Sequence, residues 1–129
     1  MEPERIELTT PLGKDWEPVV RLVLGGVGDR LDLGFEELDD LQLAVERLLA
    51  EAGAQRTVSI TLELTDRSVR THVGPLHEHA IAEALQGPPP KPGELNLRRV
   101  LDTVVDSFGV EAIDGGDLLV RLEKLVARD

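Results

Sequence analysis

The chain has 129 residues, no cysteine and a formal net charge of −11. Its length predicts a single domain over residues 1–129 with a core of its own. The negative charge argues against nucleic acid and anionic membranes as partners, because both bind basic surfaces. The absence of cysteine rules out disulfides and thiolate metal sites.

The N-terminal residues and the hydropathy pattern indicate the cellular compartment of the protein. Met1-Glu2-Pro3-Glu4 is acidic and lacks the pattern of a signal peptide. No apolar run approaches the roughly 18 residues that span a membrane. We therefore expect a cytoplasmic protein. Its 2% aromatic content also predicts a core of aliphatic side chains.

The first predicted elements are a strand and a helix. Alternation of apolar and polar residues from Ile6 to Thr10 predicts a short strand that Pro11 closes. Asp15 is placed to cap the helix that follows.

Three glycines stand inside this first predicted helix, at Gly25, Gly26 and Gly28. Each glycine weakens a helix by about 1 kcal/mol relative to alanine. Either the helix frays there, or another backbone packs tightly against it. The run lacks the lysine of a phosphate-binding loop and the context of a dinucleotide site, so it does not indicate a nucleotide loop.

A second helix is predicted over Glu36–Ala52, where apolar residues recur at helical spacing. The apolar stripe comprises Leu38, Leu41, Val45, Leu48, Leu49 and Ala52. Gly53 is a plausible stop for this helix. Acidic residues crowd its first turns, where the helix dipole favours negative charge. They are Glu36, Glu37, Asp39 and Asp40, and they fit either a solvated helix start or a surface for a basic partner.

The second half of the chain alternates hairpins with helices. Thr57–Leu64 and Ser68–Val73 predict a hairpin that Gly74-Pro75 breaks. Leu76–Leu85 predicts a short helix, and residues 87–93 form a stiff, proline-rich loop.

The C-terminal part is predicted to form a helix and a second hairpin. Leu95–Ser107 is amphipathic. Gly109–Ile113 and Leu118–Val126 flank a turn at residues 114–117, which also lacks the further ligands of a calcium loop. The whole order of elements predicts an α+β two-layer sandwich, with a mostly antiparallel sheet and helices on one face.

These elements resemble a known family. The opening strand Ile6–Pro11, the helix segment Val20–Val27 with Arg30, and the helix Glu36–Val45 are similar to the anti-sigma factor serine-protein kinases of bacteria. Leu101–Asp106 and the last hairpin also fit. The resemblance implies the histidine-kinase-like ATPase (Bergerat) fold over nearly the whole chain. It also implies a sigma factor or an anti-anti-sigma protein as partner, and a homodimer.

The family binds ATP with a helix that supplies Glu and, four residues later, an Asn that holds Mg²⁺. Here Arg47 stands where the Glu belongs and Glu51 where the Asn belongs. A shift by one residue restores Glu46 but replaces the Asn by Ala50. Neither register supplies both groups.

The family's other two signatures also differ. Its strand ends in Asp-x-Gly, whose Asp accepts from the adenine amino group, whereas this chain has His72 and Gly74. Its glycine-rich phosphate loop is replaced by prolines and by Gly93-Glu94. Proline removes N–H donors, and the Glu94 carboxylate would repel phosphate.

The favoured interpretation is a degenerate, non-catalytic anti-sigma-like protein, a pseudokinase that regulates transcription through protein contacts. No catalytic residue is predicted, and the residual nucleotide-binding candidates are Gly74, Glu46 and Glu51. No cofactor is expected, whereas a surviving pocket would use ATP and Mg²⁺. The helix segment Val19–Arg30 is a candidate interface, because its glycines permit close approach.

Two other hypotheses remain open at this point. One is an active ATP-binding serine-protein kinase of the anti-sigma type, in which Glu46 or Glu51 acts as general base or Mg²⁺ ligand. The other is an unrelated small α+β binding domain, which a different strand order would favour.

The three histidines lie within eight residues, at His72, His77 and His79. With Glu78 or Glu83 they would form a zinc site, but no recognised zinc spacing is present. Surface histidines around a turn are the favoured explanation, so no metal is predicted.

Overall fold

The computed structural model describes residues 4–13 and 15–126. The strands are β1 (Glu4–Pro11), β2 (Thr57–Leu64), β3 (Ser68–Leu76), β4 (Ser107–Ala112) and β5 (Leu118–Leu125). The helices are α1 (Trp16–Leu31), α2 (Phe35–Ala50), α3 (Ala80–Gln86) and α4 (Leu97–Val104). A 3₁₀ turn, Asp114–Gly116, joins β4 to β5. The predicted order of elements is confirmed.

Within the described residues the strands form one sheet in the order β1-β2-β3-β5-β4, and every neighbouring pair is antiparallel. Along β2 every second side chain, from Val58 to Leu64, is buried, whereas those between them are more exposed. One face of the sheet is therefore buried under the helices, and the other is open to solvent. The α+β class is confirmed.

The core is aliphatic, as the composition predicts. The α2 side chains Leu41, Val45 and Leu48 are fully buried, and Leu38 at the edge of the predicted stripe is only half-buried. No helix of residues 4–13 and 15–126 is long and apolar enough to cross a membrane.

Helix α1 runs without a break through all three glycines, so the alternative that the helix frays at these residues is wrong. A Cβ added to Gly28 would lie 2.9 Å from Cδ1 of Leu38, so the Leu38 side chain of α2 packs directly against this glycine of α1. Around Gly25 and Gly26 no other described atom lies within 4 Å of such a Cβ.

Asp15 does not cap α1 in the predicted way. Its backbone is left-handed, with φ 66°, and among the described residues its side chain makes no capping hydrogen bond. The start of α2 has a side-chain acceptor instead, because Oε1 of Glu37 accepts a 3.0 Å hydrogen bond from the Gly34 N–H.

Three predicted boundaries shift. Strand β3 continues through Gly74-Pro75 to Leu76, because a register shift after Val73 accommodates the proline, so the predicted break is wrong. Helix α3 consequently begins at Ala80 rather than Leu76. Helix α4 is shorter than predicted, because Ser107 already pairs with β5.

Candidate functional site

A cavity of about 310 Å³ lies where the C-terminal half of α2 meets α3 and the start of α4. Its polar wall comprises Arg47 and Glu51 of α2, with Glu78 before α3. Its other lining residues are Ala80, Ile81, Ala84, Leu95, Asn96 and Leu97. Arg47 and Glu51 share this wall because residues four apart lie on one face of a helix.

The two α2 side chains on this wall form an ion pair. Nη2 of Arg47 lies 3.5 Å from Oε1 of Glu51, and both side chains are a little under half exposed. Nε of Arg47 is buried and has no hydrogen-bond partner among the described residues. The positive charge on the wall is thus already opposed by a carboxylate.

Glu46 lies on another side of α2 and binds Arg21 of α1. The guanidinium donates two hydrogen bonds to this carboxylate, of which Nη2 to Oε2 is 3.2 Å. The hydrogen bonds with Glu46 raise the pKa of Arg21. Of the two glutamates predicted as nucleotide-binding candidates, Glu51 lines the cavity, whereas Glu46 is not among its lining residues.

Gly74, the third candidate, lies where β3 packs on β5. A Cβ there would be 2.9 Å from Cδ1 of Leu119 and 3.0 Å from the Leu118 carbonyl oxygen. Close packing of the two strands therefore explains this glycine. Gly74 is not among the residues that line the cavity.

His72 lies on the solvent face of the sheet, beside Arg121 of β5 in the strand register. With Arg70, Arg121 and three neighbours it lines an open groove on that face. Because side chains alternate along a strand, Thr71 and Val73 point inward, and both are fully buried. The structure therefore separates His72 from the α2 cavity by the thickness of the sheet.

The proline-rich segment is tied to α4 by two arginines. Arg98 donates to the Gly87 carbonyl, and Nη2 of Arg99 lies 3.4 Å from the Pro90 oxygen and 3.2 Å from the Lys91 oxygen. Sequence reasoning missed this role. The only signal was an arginine pair at the start of a helix that follows a loop rich in carbonyl acceptors.

The remaining predicted clusters are the three histidines and the acidic start of α2, and several of their members contact other parts of the chain. Nδ1 of His77 lies 2.7 Å from Oδ1 of Asp117, and His72 lies on the open sheet face. The described part of the chain contains no group of three His, Cys, Asp or Glu that could hold a metal ion. At the acidic start of α2, Asp40 contacts Lys124, Glu37 accepts from Gly34, and the charge of Asp39 contributes to the raised pKa of Arg21.

Comparison with known proteins supports the resemblance. No protein-family model matches the chain. The serine-protein kinase RsbW of Halalkalibacterium halodurans is 36% identical over 44 residues, which are 34% of this chain and 27% of that protein. In fold the chain is similar to the structure of the RsbU and RsbW domains of Rv1364c from Mycobacterium tuberculosis, with a TM-score of 0.64.

That structural likeness covers 98% of this chain and 33% of the other, at 14% identity. The chain therefore matches a third or less of the length of each relative. Together the two comparisons confirm a distant similarity to the RsbW serine-protein kinases of the anti-sigma type, in sequence and in fold. The likeness in fold extends over nearly the whole chain.

Proposed function

We propose that this chain is an anti-sigma-like regulatory module that binds proteins and does not transfer phosphate. The observation that carries the proposal is the Arg47–Glu51 pair on the wall of the α2 cavity. Arg47 and Glu51 occupy the positions at which the related kinases are expected to have the Glu that activates the phosphate acceptor and the Asn that holds Mg²⁺. We further propose that residues 1–129 act as one domain.

The chemistry of the cavity disfavours a nucleoside triphosphate. Phosphate groups in proteins are met by cations and free N–H donors, and Mg²⁺ is held by carboxylate and phosphate oxygens together. Here the cation Arg47 is opposed by Glu51, and Glu78 adds a second carboxylate to the same wall. The sum of these charges repels a polyanion.

The loop next to the cavity supports the same proposal. Four of the six residues 87–92 that follow α3 are prolines, and a proline has no backbone N–H to donate. They are Pro88, Pro89, Pro90 and Pro92. The loop's carbonyls accept from Arg98 and Arg99. A loop held this way presents few N–H groups to phosphate.

The partner we propose is a sigma factor or an anti-anti-sigma protein, which would place the chain in the cytoplasm. The distant RsbW similarity supports this class of partner. The net charge of −11 adds a preference for a partner with a basic surface, since opposite potentials speed encounter and fix orientation.

The second candidate is an active ATP-dependent serine-protein kinase. One observation favours it: Glu51 lies on the cavity wall, where its carboxylate would bind Mg²⁺ or accept the proton of a substrate hydroxyl. Glu46 is the weaker choice for either role, because Arg21 already binds it.

Binding of candidate partners to the purified chain, with and without Mg-ATP, tests the proposal. We expect a sigma factor or an anti-anti-sigma protein to bind with an affinity that nucleotide does not change. Failure of both classes to bind would overturn the proposed partner. Phosphorylation of a bound partner by Mg-ATP would overturn the non-catalytic proposal and support the kinase.

A further inference from the structure

The proline-rich segment, residues 87–93, connects α3 to α4 with an extended main chain. Gly87 ends α3 with φ −79° and ψ −170°, and residues 89–91 have no helix, strand or turn of their own. Four of its seven residues are prolines, whose rings hold φ at about −65°, and a residue before a proline is driven toward extended backbone. These restrictions favour the polyproline II helix, which has three residues per turn.

Burial along the proline-rich segment follows this three-residue period. Gly87 and Pro90, which are three residues apart, are half-buried. The residues between and after them are exposed, namely Pro88, Pro89, Lys91 and Pro92. Residues three apart share a side of a polyproline II helix, so the rings of Pro89 and Pro92 form one exposed side.

Two arginines of α4 hold the segment through its main chain. Arg98 donates to the Gly87 carbonyl, and Nη2 of Arg99 donates to the carbonyls of Pro90 and Lys91. Because these contacts use carbonyl oxygens, they fix the path of the segment and leave the rings of the exposed prolines uncovered.

A turn fixes the far end of the segment. The Lys91 carbonyl oxygen accepts a 2.9 Å hydrogen bond from the Glu94 N–H, and Gly93 has φ 82°. Pro92 and Gly93 therefore fit the two central positions of a type II turn, which favours proline at the first and glycine at the second. A segment that is fixed before it binds loses less entropy on binding, so this one is preorganised for recognition.

We infer that the exposed side of the proline-rich segment binds a partner protein through a groove lined with aromatic side chains, with an acidic group beside the groove for Lys91. Exposed prolines spaced three apart fit such grooves, because aromatic rings pack against the proline rings. The ion pairs of the described residues do not include Lys91, so its ammonium is available to a carboxylate of the partner.

The composition of the chain requires that this partner be a different protein. A groove of this kind needs several aromatic rings side by side. The chain has three aromatic residues, Trp16, Phe35 and Phe108, and they belong to three different elements, α1, α2 and β4. A second copy therefore cannot supply the groove. The inference is also independent of the regulatory partner proposed above and of nucleotide binding.

Calorimetric titration of the purified full chain with an isolated WW domain tests this inference. The domain is one that binds proline runs containing a basic residue in its aromatic groove. We expect saturable binding, which Pro89→Ala should weaken about tenfold. Pro18→Ala is the matched control, because Pro18 is an exposed proline of α1. Absence of binding by the unaltered chain, or equal affinities of the two variants, would overturn the inference.

Further variants test the charge and the preorganisation separately. Lys91→Glu should weaken binding about tenfold, whereas Arg67→Glu, the same exchange of charge in the exposed turn between β2 and β3, should leave it unchanged. Arg99→Ala removes the donor to the Pro90 and Lys91 carbonyls, so it should weaken binding and keep the circular dichroism of the unaltered chain. Equal effects of the two charge exchanges, or full affinity in Arg99→Ala, would contradict the inference.

Discussion

Nζ of Lys124 lies 3.2 Å from Oδ2 of Asp40 and 3.0 Å from the Val104 carbonyl oxygen, so one side chain joins β5 to both α2 and α4. The Lys124 side chain is only 14% exposed. Its ammonium is thus held by two oxygens at the edge of the core, where a charge without partners is costly.

Removing the carboxylate should therefore destabilise the fold. We expect Asp40→Ala to lower the free energy of unfolding by about 1–3 kcal/mol, because it leaves the Lys124 ammonium half-satisfied. Urea unfolding measures this. Glu36→Ala, an exposed acidic residue one turn away, is the control and should change stability by less than about 0.5 kcal/mol. Equal effects would show that the contact contributes nothing.

The hydroxyl of Thr71 is fully buried and has no hydrogen-bond partner among the described residues. We expect Thr71→Val to raise the free energy of unfolding by about 1 kcal/mol, because it removes an unsatisfied polar group with little change of shape. Thr10→Val is the control, since Thr10 is equally buried but its hydroxyl donates to the Pro11 carbonyl at 3.2 Å. If both exchanges stabilise the fold equally, the increase in stability comes from the higher strand propensity of valine and not from removal of an unsatisfied hydroxyl.

The glycines of α1 should respond differently to alanine. Gly28→Ala should destabilise the fold, because its methyl group would lie 2.9 Å from Leu38, whereas Gly25→Ala has open space and should stabilise the helix by about 0.5–1 kcal/mol. Thermal unfolding of the two single variants measures both effects. Destabilisation by Gly25→Ala would show that another part of the chain packs on it.

The Glu4–Arg30 pair gives stability a dependence on pH. Hydrogen bonds from Arg30 lower the pKa of Glu4, so the folded state favours the carboxylate. The pair therefore contributes above the ordinary glutamate pKa, and its contribution is lost as pH falls through the lowered value. We expect the stability difference between the unaltered chain and Glu4→Gln to be present at neutral pH and to disappear in acid, once the pH lies below the lowered pKa of Glu4. A difference that persists in acid would contradict this.

The sequence predicted an element correctly where the spacing of apolar residues and the residue types of the adjoining turn indicated the same structure. The β2–β3 hairpin, the buried stripe of α2 and the β4–β5 turn were predictable. Apolar residues recur at every second position along a half-buried strand and at helical spacing along a half-buried helix, so their positions predict which side is buried. The distant family resemblance supplied what periodicity does not, namely how these elements assemble.

The site was less predictable, for physical reasons. Whether Glu46 or Glu51 faces the cavity depends on the rotation of α2 about its axis, which its packing against α1 and α4 decides. The end of β3 was not predictable either, because the bulge between Val73 and Leu76 carries the strand through Gly74-Pro75 without any apolar signal. The Arg98 and Arg99 contacts need the folded path of the loop.

Calorimetric titration of the purified chain with ATP, with and without Mg²⁺, tests the central claim most directly. The account predicts no binding heat at millimolar nucleotide for the unaltered chain, because the Arg47–Glu51 pair and Glu78 leave no site for a polyanion with its metal. Glu46→Ala is the control for α2 itself, since it alters the same helix away from the cavity. Mg²⁺-dependent binding that Glu51→Ala abolishes and Glu46→Ala retains would contradict the account and identify a working kinase pocket.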